Sequence, residues 1–185
     1  MNATNATMRI IEWGSQEGRC VFSYGELGRL FGRPRKGRSL EGLVKTLVSL
    51  GVLERAGRNV YVALPLAREG AKNVLDQVAM VAGGYNLVVE SLESAASRWG
   101  IISQKYARMA TYVTTGRSRT IECSFGTVVL VHTAWGTGRI VRQSVDRGAG
   151  LTRLSDKQTT LHMLRRTGRA SELLKEWEEG DGQPA

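Results

Sequence analysis

Arg33, Arg35, Lys36 and Arg38 crowd into one short turn directly ahead of Ser39, a residue type that caps helices. Cations at that point suit phosphate binding. Guanidinium and ammonium groups donate N–H bonds to phosphate oxygens, and a helix start adds unpaired backbone N–H groups and a partial positive charge. The segment that follows carries Ser39, Gly42, Lys45, Thr46 and Ser49 on one side, all short or flexible. Such side chains can enter a major groove, and Gly42 lets the backbone come close. Arg55, Arg58 and Asn59 then surround a turn of the kind that reaches a sugar-phosphate backbone or a narrow minor groove.

Catalytic patterns are not found. The chain has no Gly-x-x-x-x-Gly-Lys phosphate loop and no Gly-x-Ser-x-Gly elbow. His132 ends a strand-like run and His162 lies in a helical one, so both read as structural rather than as bases. Two histidines and two scattered cysteines give no zinc-ligand spacing. Cys20 and Cys123 lie in apolar runs and read as buried, reduced thiols. We expect no enzyme activity, no metal and no cofactor.

The elements that must position the cations are legible in outline. Met8–Gln16 reads as a first helix ended by Gly18, and Cys20–Phe22 as a short strand. Ser23 with Glu26 makes a capping box for a helix over Tyr24–Phe31, stopped by Gly32 and Pro34. Leu40, Leu43, Val44, Leu47 and Val48 form one helical stripe from Ser39 to Leu50. Val52–Arg55 and Val60–Leu64 flank a Gly-containing turn and predict a hairpin, with Pro65 closing the unit. Helix, helix, basic turn, helix, hairpin is the plan of a winged helix-turn-helix.

Beyond it, Ala67–Val81 reads as a helix, Tyr85–Val89 as a buried strand and Ser91–Trp99 as a helix. Ala110–Thr115, Arg119–Cys123, Thr127–His132 and Arg139–Ser144 read as strands, and Ser155–Arg166 and Ser171–Glu179 as helices. The expected fold is therefore α+β: a winged helix-turn-helix over residues 1–66, a smaller mixed α/β domain over 67–180, and a flexible tail over 181–185. The connection Thr115-Gly116-Arg117-Ser118-Arg119 supports two readings. Its hydroxyls, glycine and arginines can cradle a second phosphate. Alternatively it is a hairpin turn whose glycine takes positive φ and whose arginines meet Glu93 or Glu122. Trp99 and Trp135 read as core or interface residues. Glu176, Glu178, Glu179 and Asp181 read as a solvated helix end, though an acidic tail can also mask a basic surface.

Charge supports a polyanionic partner. The 185 residues carry a formal net charge of +9. Residues 1–68 hold 11 Lys/Arg against 5 Asp/Glu, and residues 69–185 hold 15 against 12, so the excess is concentrated in the shorter first part. No stretch is apolar enough to span a bilayer and the N-terminus has no signal-like apolar run, so we expect a cytoplasmic protein with no membrane partner.

Five stretches together resemble the abortive-infection antitoxin family (AbiEi): Ser91-Leu92-Glu93-Ser94-Ala95, Trp99-Gly100-Ile101-Ile102, Val113 through Arg119, Phe125-Gly126-Thr127 and Val131-His132-Thr133. The resemblance covers roughly residues 20–135 and stops after His132. It implies an N-terminal winged helix that represses its own operon and a C-terminal domain linked to antitoxin activity. The implied functional partner is a nucleotidyltransferase-like toxin of a type IV pair, in which direct binding is not required. The expectation is thus a sequence-specific repressor, binding double-stranded DNA as a homodimer at an inverted repeat in its own promoter. Some relatives serve as plain regulators on mobile elements. The rival reading is a protein-interaction module that holds a toxin or mobile-element protein without touching DNA.

Overall fold

The first helix, α1 (Ala3–Glu17), starts earlier than its apolar spacing predicts. Asn2 accepts a hydrogen bond from the Asn5 N–H at 2.9 Å, and this cap lets the polar stretch Ala3–Thr7 join the helix. Gly18 ends it at φ +62°, a conformation that favours glycine. The computed structural model describes residues 2–33, 38–68, 73–102, 108–148 and 151–168, with Arg38 described by its backbone alone. Arg35 and Lys36, the side chain of Arg38, the helix expected at 171–179 and the tail at 181–185 lie outside the described residues. Within them the protein is mixed α+β, with eight helices and two sheets. It divides into two compact units, Met1–Gly84 with Ile121–Phe125, and Tyr85–Thr120 with Gly126–Ala185.

In the first unit, β1 (Val21–Ser23) leads into α2 (Tyr24–Leu30) through the expected capping box. Ser23 Oγ accepts from the Glu26 N–H, and the Glu26 carboxylate accepts from the Ser23 N–H at 2.7 Å. Burial opposes ionisation of Glu26, but its bonds to Ser23 and its pairing with Arg19 at 3.0 Å hold its pKa below the usual value. α3 (Arg38–Ser49) buries Leu40, Leu43, Val44 and Leu47. Val48, expected in the same stripe, is exposed.

β2 (Leu53–Gly57) and β3 (Val60–Ala63) form the expected hairpin, and the antiparallel sheet runs β1-β3-β2. The central strand β3 is buried throughout, which suits its β-branched and aromatic residues. Pro65 sits in the first turn of α4 (Leu64–Arg68) instead of closing the unit. Its missing N–H costs nothing there. The single helix expected from Ala67 to Val81 is two, α4 and α5 (Val74–Gly83).

α5 belongs to the first unit and packs on β1 and β3. Gln77 on it is buried and satisfies the edge of the sheet. Its Oε1 accepts from Cys20 N at 2.8 Å and Val21 N at 3.2 Å, while Nε2 donates to Gly18 O. Gly14 in α1 is required by close approach: a Cβ there would fall 2.5 Å from the Arg19 carbonyl oxygen and 2.3 Å from Leu66 Cδ1.

The second unit is built on a sheet ordered β6-β7-β5-β4-β9-β8, with β4 (Val88–Glu90), β5 (Met109–Thr114), β6 (Arg119–Cys123), β7 (Gly126–His132), β8 (Ser144–Val145) and β9 (Arg153–Ser155). Residues Ile121–Cys123 of β6 group with the first unit. β5 runs parallel to β7, and β4 is antiparallel to β5 but parallel to β9. α6 (Leu92–Arg98) and α8 (Lys157–Thr167) pack on each other, and Val89, Leu92, Ala96, Val113, Ile140 and Leu164 share one core.

Three expectations are corrected here. The buried strand begins at Val88, and Tyr85 is fully exposed. The strand expected at Arg139–Ser144 is a helix, α7 (Thr137–Arg142), with only Ile140 buried. Its β-prone Ile140-Val141 pair is overridden because a single apolar side chain faces the core. The Thr115–Ser118 connection is no hairpin turn, because β7 lies between β5 and β6.

Candidate nucleic-acid interface

α3 presents Ser39, Glu41, Gly42, Lys45, Thr46, Val48 and Ser49 outward, because its four core residues occupy the opposite side. The predicted reading face is therefore accessible. The β2–β3 hairpin faces it across a groove of about 750 Å³. Val44, Val48, Tyr24 and Tyr61 contribute its apolar lining, and Lys45, Arg55 and Arg58 its cations.

The polar groups divide into anchored and free. Arg55 and Arg58 are exposed and have no ion-pair or hydrogen-bond partner among the described residues. Lys45 is paired with Glu41, Nζ to Oε1 2.8 Å, and both side chains are well exposed. That pairing lowers the Glu41 pKa and raises that of Lys45. Tyr24 is raised too, by desolvation first and then by Glu41 and Tyr61, with Lys45 opposing.

Thr46 Oγ1 donates to Gly42 O at 3.0 Å, and Ser49 Oγ donates to Thr46 O at 2.9 Å. Both hydroxyls spend their proton on the helix and keep lone pairs for an outside donor. A Cβ built on Gly42 meets nothing within 4 Å, so this glycine leaves open space. Arg33 Nη1 donates to Ser39 O in the first turn of α3. Asn59 takes φ +68° at the hairpin tip, and its Oδ1 accepts from Tyr24 N at 3.1 Å. It ties the hairpin to α2. Asparagine tolerates that conformation because its short polar side chain bonds locally.

Glu54, beside Arg55 in β2, accepts from Ser124 N at 2.7 Å and from the Ser124 hydroxyl. Successive strand residues point to opposite faces, so this carboxylate lies away from the Arg55 side. Among the described residues Glu41 is the one acid lining the groove. Sequence reasoning missed Tyr24, Val48 and Tyr61 as groove residues. Tyr24 opens α2 and Tyr61 lies on β3, and the pairing of their rings, 6.2 Å between centroids, is a tertiary contact without a local signal.

The predicted second phosphate contact, Thr115, Gly116, Arg117 and Arg119, lies in the second unit. Its cradle is occupied from within. Thr115 Oγ1 accepts from Leu87 N, Gly116 N donates to Thr114 Oγ1, and Gly116 O contacts His132 Nδ1 at 2.8 Å. Gly116 does not take positive φ; it is small because the Asn86 side chain lies against it, 2.9 Å from where a Cβ would stand. Arg117 and Arg119 are exposed, and neither Glu93 nor Glu122 pairs with them. Ser94, in the first of the motif stretches, is bonded within the fold. Ser94 and Thr111 exchange bonds, Ser94 N to Thr111 Oγ1 and Thr111 N to Ser94 Oγ.

Among the described residues no group of three His, Cys, Asp or Glu side chains could hold a metal ion, and no helix is long and apolar enough to cross a membrane. Neither cysteine is in a disulfide; Cys20 is buried and Cys123 only partly so, against the expectation that both are buried.

No protein-family model and no curated protein matches the chain. Among solved structures it is similar to the crystal structure of the RV2827C protein from Mycobacterium tuberculosis. The identity is 15% and the TM-score 0.44, over 95% of this chain and 72% of that one. That likeness is too distant to assign a fold family or an activity.

Proposed function

We propose that residues 1–84 form a winged helix-turn-helix that binds double-stranded DNA. In this reading α3 enters the major groove and the β2–β3 hairpin is the wing that follows the backbone. One observation carries it: two unpaired arginines, Arg55 and Arg58, face the exposed side of α3 across a single groove. Unpaired cations opposite a helix face suit a phosphate strand flanked by base edges. Lys45 and the lone pairs of Thr46 and Ser49 supply the base contacts, and Arg33, Arg35, Lys36 and Arg38 the phosphate contacts at the helix start. The protein is then a regulator that represses its own promoter, with a nucleotidyltransferase-like toxin as its functional partner, in keeping with the family resemblance.

The apolar lining of the groove favours a second reading. Val48 at 37% exposure, with Tyr24 and Tyr61 beside it, suits a docked peptide segment. A mobility shift with the DNA immediately upstream of the coding region, against an unrelated duplex of equal length, separates the two. Preferential retardation of the upstream duplex supports the DNA reading. Absence of any retardation, with a stoichiometric co-purifying protein, supports the peptide reading.

A further inference from the structure

Six arginines of the second unit differ in how they are held. Arg98, Arg147 and Arg153 are built into the fold: Arg98 and Arg147 hold the buried Glu90 carboxylate at 2.7 and 2.6 Å, and Arg153 bonds Ser144 and Asp146. Arg139, Arg142 and Arg166 are exposed, and none has an ion pair among the described residues. Two short elements carry them. α7 and α8 together contain four arginines and a lysine and no aspartate or glutamate.

These cations belong to one surface because Trp135 joins the two helices. The Arg139 guanidinium lies 3.7 Å from the Trp135 ring centroid, and the His162 ring stacks on the same residue at 5.4 Å. Arg142 follows Arg139 by one helical turn on α7, and Arg166 follows His162 by one turn on α8. Arg139 is also oriented, since its Nε donates to Gln143 Oε1 at 3.3 Å. Stacking on an aromatic ring and a bond through Nε leave the outer edge of the guanidinium free, which is the edge that grips a phosphate in two-point fashion.

We infer that this α7–α8 face is a second, sequence-independent binding site whose ligand is the phosphodiester backbone of nucleic acid. A lipid surface fits less well. Trp135 is buried, and the exposed apolar side chain on α7 is Val141, which is too small to anchor a helix in a bilayer. The inference borrows from the proposed function only the choice of nucleic acid over other polyanions; the site itself stands on the second unit alone.

The test uses the full chain and a random-sequence 30-base-pair duplex, with binding followed by anisotropy across a salt series. The triple variant R139Q/R142Q/R166Q should lower the slope of log K against log salt by about 2 to 3, near 0.9 per lost phosphate contact. The charge-conserving variant R139K/R142K/R166K should restore most of the slope, which separates lost contacts from lost folding. The first-unit variant K45Q/R55Q/R58Q serves as the reference. If it changes nothing while the α7–α8 variant flattens the slope, this site stands and the winged-helix reading fails. An unchanged slope in the α7–α8 triple variant overturns the inference. So does a variant that loses binding to phosphatidylserine vesicles while keeping its full DNA affinity, which would assign the face to lipid.

Discussion

Lys45 and Glu41, one turn apart on the exposed side of α3, form an ion pair with Nζ 2.8 Å from Oε1. Glu41, the one acid on the groove among the described residues, thus occupies the cation that the proposed function sends to a base. An exposed pair of this kind contributes little to folding, so its effect falls on binding. Glu41→Gln should tighten duplex binding, as Lys45 is freed and a negative charge leaves the groove. Lys45→Ala should weaken base preference among duplexes. Selection from a random duplex pool with each variant checks both, and identical preferred sequences for Lys45→Ala and wild type would remove Lys45 from the reading face.

Gln77 closes the open edge of the three-stranded sheet by accepting from two backbone N–H groups. Gln77→Leu keeps the volume and removes the acceptor, leaving Cys20 N and Val21 N buried and unpaired. The expected loss is about 2–4 kcal/mol. Urea unfolding followed by circular dichroism measures it, and a loss under 0.5 kcal/mol, roughly that of a surface change, would mean that water or another group replaces the amide.

Glu90 is buried between Arg98 and Arg147. The Arg147 contact is close but off the hydrogen-bond direction, so its contribution is mainly charge. Arg147→Ala should destabilise the protein by about 3–5 kcal/mol, because a buried carboxylate loses half of its compensation. Replacing both partners, Glu90→Leu with Arg147→Met, should cost much less. Comparing the two variants by thermal unfolding tests whether the pair is coupled.

Burial pushes the Cys20 thiol up to about 11 from 9.0, with its backbone bond and Arg19 opposing. The folded state therefore holds this proton more tightly than the unfolded state does. The stability linked to it is intact below pH 9 and is lost as pH rises from 9 toward 11. Wild-type protein should lose more stability between pH 8 and pH 10.5 than Cys20→Ala does. At pH 8 a thiol reagent should modify Cys123 readily and Cys20 only after unfolding.

How far the sequence reaches depends on whether a signal is local. The Ser23–Glu26 box, the Leu40-to-Leu47 stripe and the β2–β3 hairpin are written in spacing of a few residues, and each stands in the structure. The residues misread depend on distant partners. Val48 continues the helical stripe numerically, yet no described neighbour covers it, and it lines the groove instead. Asn59 is legible as a residue of the hairpin tip, but its bond to Tyr24 N, 35 positions away, is not. Nothing local to Gln77 signals its role, which comes from bonds to Cys20 N and Val21 N more than 50 positions away. The strand expected at Arg139–Ser144 is the helix α7, in which Ile140 alone is buried, so no alternation marks it as a strand.

The most direct check on the groove is the salt dependence of duplex binding by wild type and by the R55Q/R58Q variant. Arg55 and Arg58 have no partner within the described residues, so the substitution should leave folding intact and remove two phosphate contacts. The predicted result is a slope of log K against log salt smaller by about 1.8, with weaker binding to every sequence alike. Superimposable titrations for the two proteins would contradict the account.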